Sequence, residues 1–188
     1  MYDDGFSEFE VKKSSLKFDN EEKSEPVGCV GSLEEKMNTK KITKKCEGVV
    51  VKNVRKGDGT GELKVTLHIR YPLFIKSFGM ESAKLIKGVR GYGDSSVHPK
   101  AAFTCLVKDE DGVEKLKAYP KVTFDEFFTR KIENGSEEVA EVEATLAVEP
   151  DEYGFGVYEA LVSELENESI VDSWLNNFAP ELVKVAEI

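Results

Sequence analysis

The sequence predicts a mainly β domain, with six or more strands and one or two α-helices laid against them. Three observations lead there. In residues 62–70, Leu63, Val65, Leu67 and Ile69 alternate with Glu62, Lys64, Thr66, His68 and Arg70, the period of two that marks a half-buried strand. In residues 139–148, Ala140, Val142, Ala144, Leu146 and Val148 face away from Glu141, Glu143 and Thr145, so the polar side of that strand is acidic. Residues 101–108 and 113–124 flank Asp109-Glu110-Asp111-Gly112, whose Asp-Gly supplies the positive φ angles of a tight hairpin turn.

The remaining elements follow in chain order. Residues 6–11 and 16–18 predict two short strands paired across 12–15, and residues 27–30 a third. Residues 34–45 (EEKMNTKKITKK) are charged throughout and lack a period, which predicts a long exposed loop. Residues 48–55 are expected to pair with 62–70 through the turn-rich Gly57-Asp58-Gly59-Thr60-Gly61. Pro72 and Gly79 bracket a short helix over 72–78, and Pro120 places an edge or bulge in the second arm of the later hairpin. Helical spacing appears at Val157, Leu161 and Leu165 with Tyr158 and Val162, and again at Ile170, Val171, Trp174, Leu175 and Phe178. Ser169 with Asp172 resembles a capping box for the second of these, and Pro180 stops it. No internal repeat of solenoid length is present.

Length and composition narrow the class. At 188 residues and 21.0 kDa the chain suits one domain, and folding at this size removes roughly 70% of the extended-chain surface from water. A fraction of 40% hydrophobic residues with 10% aromatics separates it from disordered chains. No apolar run nears the roughly 20 residues that cross a bilayer, and Met1-Tyr2-Asp3-Asp4-Gly5 is acidic where a signal peptide is basic. The expectation is a soluble, unexported protein with no membrane anchor. Cys29, Cys46 and Cys105 are odd in number and form no CxxC pair, which suits a reducing compartment and small packing roles.

The net charge of −10 is unevenly spread: residues 1–94 hold 18 Lys and Arg against 15 Asp and Glu, and residues 95–188 hold 8 against 21. A protein that grips nucleic acid by its phosphates needs a basic field, and the C-terminal half offers the reverse. The only basic cluster is Lys40-Lys41-Ile42-Thr43-Lys44-Lys45. Without interleaved aromatic residues it reads as solvated surface rather than a phosphate track, or as a contact for acid on another copy of the chain.

The motifs of chemistry are tested and set aside. Gly57-x-Gly59-x-Gly61 joins strand to strand with no helix N-terminus behind it, and Gly88-x-x-Gly91-x-Gly93 has neither Walker nor dinucleotide spacing. His68 and His98, the only histidines, stand in no metal-ligand spacing. Asp109–Gly112 lacks the later acidic positions of a calcium loop. Cys105 lies in an apolar strand, where burial silences a thiol, and there is no GxSxG elbow. The expectation is no enzyme, no cofactor and no metal site; a small hydrolase built on an unrecognised acidic pair is the weakest alternative.

Two stretches, residues 88–122 (GVRGYGDSSVHPKAAFTCLVKDEDGVEKLKAYPKV) and 131–165 (KIENGSEEVAEVEATLAVEPDEYGFGVYEALVSEL), with the closing Trp174-Leu175-Asn176-Asn177-Phe178-Ala179-Pro180-Glu181-Leu182, resemble the major tail protein of long, flexible-tailed phages of Gram-positive bacteria. The likeness spans about residues 48–183. It implies two packed antiparallel sheets, sandwich or barrel-like, with flanking helices. It also implies six-fold rings that stack into a tail tube carrying DNA, with no catalytic residue. The implied partners are other copies of the chain and the terminator, tape-measure and distal tail proteins. The implied place is the virion tail, after synthesis in the host cytoplasm. A tail terminator or baseplate component is the alternative within the same particles.

On this reading residues 1–47 are an arm and loop used in assembly and 48–188 the β domain. Carboxylates lining a bore would repel phosphates over the Debye length of about 8–10 Å. The candidate lining is either Glu141, Glu143 and Thr145, favoured by charge, or Glu62, Lys64, Thr66 and His68. Lys40, Lys41, Lys44 and Lys45 are the candidate ring-stacking contacts.

Overall fold

A computed structural model describes residues 6–80, 83–135 and 141–184. Among these residues eight strands form one antiparallel sheet: β1 (Glu10–Phe18), β2 (Glu25–Pro26), β3 (Gly28–Cys46), β4 (Val49–Ile69), β5 (Lys100–Lys108), β6 (Glu114–Arg130), β7 (Val142–Glu149) and β8 (Tyr158–Leu161). Helix α1 (Tyr71–Ser77) follows β4, and α2 (Ser169–Asn177) lies near the C-terminal end. The expected mainly β, barrel-like class with flanking helices is the observed one.

The strand order is β2-β1-β5-β6-β7-β4-β3, with β8 paired to β6 beyond the end of β7. The two ends of this order are the same piece of chain, because only Val27 separates β2 from β3. Its amide donates to the Ser14 carbonyl of β1 (3.1 Å), and its carbonyl accepts from the Arg70 amide just after β4 (3.2 Å). The sheet therefore closes into a barrel, and Val27 at the seam is 0% exposed. Closure satisfies edge groups that an open sheet would leave to strangers.

The barrel interior is filled by one apolar cluster that includes Leu16, Leu63, Val65, Leu67, Phe103, Tyr119, Phe124 and Leu146. Helix α1 closes one end: Phe74 and Phe78 pack on Phe124 and Phe128 with ring centroids 4.5–4.9 Å apart. Gly79 (φ 56) stops this helix, and the helix matches the expectation for 72–78. A second cluster joins Trp174 and Phe178 of the C-terminal segment to Ala102, Leu106, Leu116 and Ala118 on the outer face of β5 and β6. Strand β5 is buried on both faces for this reason, and apart from Thr104 its interior reads as an apolar run rather than an alternation.

The hairpin of β5 and β6 turns where expected, with the Asp109 carboxylate accepting from the amides of Asp111 (3.0 Å) and Val113 (2.7 Å). Its register breaks opposite Pro120, between the pairs Ala101–Val122 and Phe103–Tyr119. The strand expected over 139–148 is β7, whose first two expected positions, Val139 and Ala140, lie outside the described residues.

Four expectations are corrected. Residues 6–11 and 16–18 do not pair with each other: residues 10–18 are one strand, β1, bonded along its length to β5. Residues 34–45 are not a loop but most of β3. The hairpin partner of residues 62–70 is not 48–55, since both belong to β4, which continues through Gly57, Gly59 and Gly61 with a bulge opposite Asn38 and pairs with β3. The turn is instead the two residues Glu47 (φ 50) and Gly48 (φ 81) between Cys46 and Val49, the positive-φ pair a tight hairpin requires. Residue 47 thus falls in a turn, and β1, β2 and the first half of β3 pair within the barrel. Finally, residues 158–161 are strand β8, followed by a single 3-10 turn, Val162–Glu164. Beyond the end of β7 the outer edge of β6 is open, and pairing of Leu161 with Lys115 through Tyr158 with Ala118 outweighs weak helical spacing.

Candidate functional site

Two surfaces stand out, both built by β3 and β4. The first is the outward face of the barrel wall. Because Leu63, Val65 and Leu67 point into the core, their neighbours Glu62, Lys64, Thr66 and His68 point out. Strand β7 pairs with this stretch, Lys64 opposite Thr145 and Thr66 opposite Glu143. The two sets of residues that the sequence offered as alternatives therefore share one face. Strand β3 extends it with Ser32 opposite Thr66, Glu34 opposite Lys64 and Lys36 opposite Glu62, and β6 adds Asp125 opposite Thr145 and Thr129 opposite Glu143. Ser32 and Thr66 share a hydroxyl hydrogen bond of 2.9 Å.

Charge on this face is mixed with an acidic excess. Glu141 Oε1 lies 3.3 Å from His68 Nε2, and Glu62 reaches Lys64 only at 4.0 Å. The carboxylate of Glu141 also lies over the bare backbone of Gly31, where a Cβ would collide with it. Glu34 and Glu143 have no ion pair among the described residues. Neither Ser32, Glu34 nor Thr129 was singled out by the sequence, since only the pairing of β3 and β6 with their neighbours brings them in.

The second surface is an arm. Beyond Met37 and Gly61 the β3–β4 hairpin leaves the barrel as a two-stranded ribbon whose residues are almost all exposed. Lys40 stands opposite Lys56, Lys41 opposite Arg55 and Lys44 opposite Lys52. Like charges across a ladder destabilise it, and no carboxylate of the described residues pairs with any of these six cations. Lys45 adds a further cation, while the ribbon's acids are Glu47 in the turn and Asp58 near its root. Ile42, Val49, Val50 and Val51 are also exposed there. Lys52, Arg55 and Lys56 went unremarked in the sequence, because the partner strand of the basic cluster was misplaced.

The chemistry-bearing residues take structural roles. The Phe124 carbonyl lies 2.6 Å from His98 Nδ1 and Tyr92 Oη 3.0 Å from Nε2. Since a carbonyl only accepts, Nδ1 carries a proton. Burial pushes the Cys105 thiol up to about 12. At the barrel end near Tyr119, Lys117 (3% exposed) meets Glu35 at 2.7 Å, Glu159 at 2.9 Å and Glu8 at 3.0 Å. Burial opposes the ammonium there, but the three carboxylates outweigh it and hold its pKa above the ordinary value. Lys115 adds a second bridge to Glu8 at 2.6 Å, and the Tyr119 hydroxyl donates to Glu35. Among the described residues no group of three or more His, Cys, Asp and Glu could hold a metal ion, and no helix is long and apolar enough to cross a membrane.

No protein-family model matches the chain, and no curated protein matches it. Among solved structures it is similar to a chain of the anti-feeding prophage baseplate, with TM-score 0.44 and 12% identity over 88% of this chain and 100% of that one. It is similar also to a chain of the sheath–tube complex of the PVC extracellular contractile injection system in its extended state, with TM-score 0.43 and 13% identity over 80% and 89%. A third is Hcp1 from Flavobacterium johnsoniae, with TM-score 0.37 and 11% identity over 72% and 89%.

Proposed function

We propose that the chain is a structural subunit of a phage-type tail tube, which closes into six-fold rings that stack into a conduit for DNA. The observation that carries this is the division of charge within one molecule. A ribbon of unpaired cations projects from a body whose remaining surface is strongly acidic, so each copy displays both halves of an electrostatic contact. The sequence likeness to phage major tail proteins supports the reading, and the host class in that likeness is part of the proposal. In this arrangement the outward face of β3, β4 and β7 lines the bore, where Glu141 and Glu143 keep phosphates from sticking. The arm, with Lys40, Lys41, Lys44 and Lys45, lies against acid on the next ring.

Negative-stain microscopy of the purified chain at rising concentration tests this. Stacked rings of uniform bore without any partner are expected. Single rings that never stack identify a terminator or baseplate part instead, and a discrete particle at every concentration overturns the proposal. For the lining, Glu141→Lys with Glu143→Lys is expected to slow DNA ejection and make it salt-dependent. Unchanged ejection removes these residues from the bore.

A further inference from the structure

Lys184 Nζ stands 3.9 Å from the ring centroid of Tyr153, 4.7 Å from Phe155 and 5.9 Å from Tyr158. In a chain with ten more acidic than basic residues, this ammonium has no ion pair among the described residues and rests on three aromatic faces instead. We propose that Tyr153, Phe155 and Tyr158 form a binding site for an alkylammonium cation, and that Lys184 fills it in the free chain.

The site is built rather than incidental. Asp151, buried beneath it, accepts hydrogen bonds from the amides of Tyr153 (3.0 Å) and Phe155 (2.9 Å) and from the Tyr158 hydroxyl (2.5 Å). The Asp151 amide donates to the Phe155 carbonyl at 3.0 Å, closing the turn. One carboxylate thereby fixes the backbone that carries Tyr153 and Phe155 and the hydroxyl of Tyr158, and the Tyr158 ring packs on Phe178 with centroids 5.8 Å apart. Ring faces carry the negative part of the aromatic quadrupole and attract cations that are weakly hydrated. The surroundings add to that field. Desolvation and the carboxylates of Glu181 and Glu152 push the Tyr153 phenol above its ordinary value.

Tyr153 and Phe155 remain about half exposed with Lys184 in place, so the occupant is exchangeable. Lys184 follows a short 3-10 turn, Pro180–Val183, at the end of the described chain. A tether of this kind competes with any incoming cation and sets a threshold concentration for it. The ligand is a primary or quaternary alkylammonium group, carried by a lysine side chain of another protein molecule or by a free small molecule.

The test uses the full chain with Lys184→Met, titrated with tetramethylammonium chloride against sodium chloride at equal ionic strength, and read by the ring proton shifts of Tyr153, Phe155 and Tyr158. Saturable shifts at concentrations at least tenfold below those needed in the unmodified chain are expected, and adding Phe155→Ala should abolish them. Choline and Nα-acetyl-lysine methylamide, titrated separately, distinguish a free quaternary ligand from a lysine side chain. In the unmodified chain, excess tetramethylammonium should move the Lys184 Cε protons from their ring-shifted position to that of a free lysine, a readout that needs no variant. Absence of any saturable shift in both proteins overturns the proposal.

Discussion

The carbonyl of Gly59, in β4 at the root of the arm, occupies the space that a Cβ on Gly156 would need. Gly59 itself (φ 78) has no room either, since a Cβ there would lie 2.7 Å from Pro150 Cβ and 2.9 Å from the Gly154 carbonyl. Two bare backbones thus lock the loop after β7 against the point where the ribbon departs. Gly156→Ala is expected to destabilise the fold by about 1–3 kcal/mol through overpacking, seen as a drop of about 2–4 °C in Tm for each kcal/mol. Gly57→Ala is the control, because a Cβ there meets nothing within 4 Å, and it should stay within about 0.5 kcal/mol.

Lys117 ties β6 to the N-terminal segment, β3 and β8 through Glu8, Glu35 and Glu159. Replacing it with Met leaves those carboxylates facing one another. Breaking a fully buried pair costs about 3–5 kcal/mol; Glu8 and Glu159 are partly exposed, so about 2–3 kcal/mol by chemical denaturation is expected. The pH dependence has a definite sign. Burial works against the Glu8 charge, but Lys115 and Lys117 hold its pKa below the ordinary 4.5. Its share of stability is therefore present above pH 4.5 and lost as pH falls through the lowered value. In Lys117→Met that acid-side loss should shrink.

Cys29 and Cys46 are exposed, whereas Cys105 is 0% exposed with its thiol raised by burial. A thiol-reactive disulfide reagent at pH 8 is expected to label two cysteines within minutes in the native protein, and the third only on addition of denaturant. Three fast thiols would contradict the burial of β5.

The ribbon's like-charge pairs lead to a paired expectation. Lys52→Glu places an acid opposite Lys44 and should stabilise the ribbon by about 0.2–1 kcal/mol, seen as slower amide exchange in residues 42–54. The same change removes a cation from the proposed stacking contact and should weaken assembly. Removing residues 40–56 and closing the cut with a two-residue turn should leave the body's Tm within a few degrees, since none of these residues enters the apolar clusters, while long tubes fail to form.

Much of this architecture was legible in the residues. Strands whose one face is wet, such as 62–69 and 142–148, announce themselves by alternation, and the Asp109–Gly112 turn by its chemistry. The ribbon was hidden because neither face of it is buried, so β3 and β4 carry no alternation there, and its Glu47-Gly48 turn lacks the Asn or Asp that marks such turns. β8 was masked because Val157, Leu161 and Leu165 fit a helical stripe, while its pairing with β6 is set 40 residues away in sequence between Tyr158 and Ala118. The polar residues of β4 and β7 were readable singly, but their union on one face depends on strand order, which alternation does not encode.

The stitch at Val27 dictates an order of events during synthesis. Ser14 and Arg70 can be joined through it early, but the barrel becomes complete only once β5, β6 and β7 have been laid between β1 and β4. A nascent chain that has emerged only to about residue 90 holds the β3–β4 hairpin and a β1 paired only with the two residues of β2. A chain cut short of β7 therefore leaves β4 without its neighbour in the barrel wall.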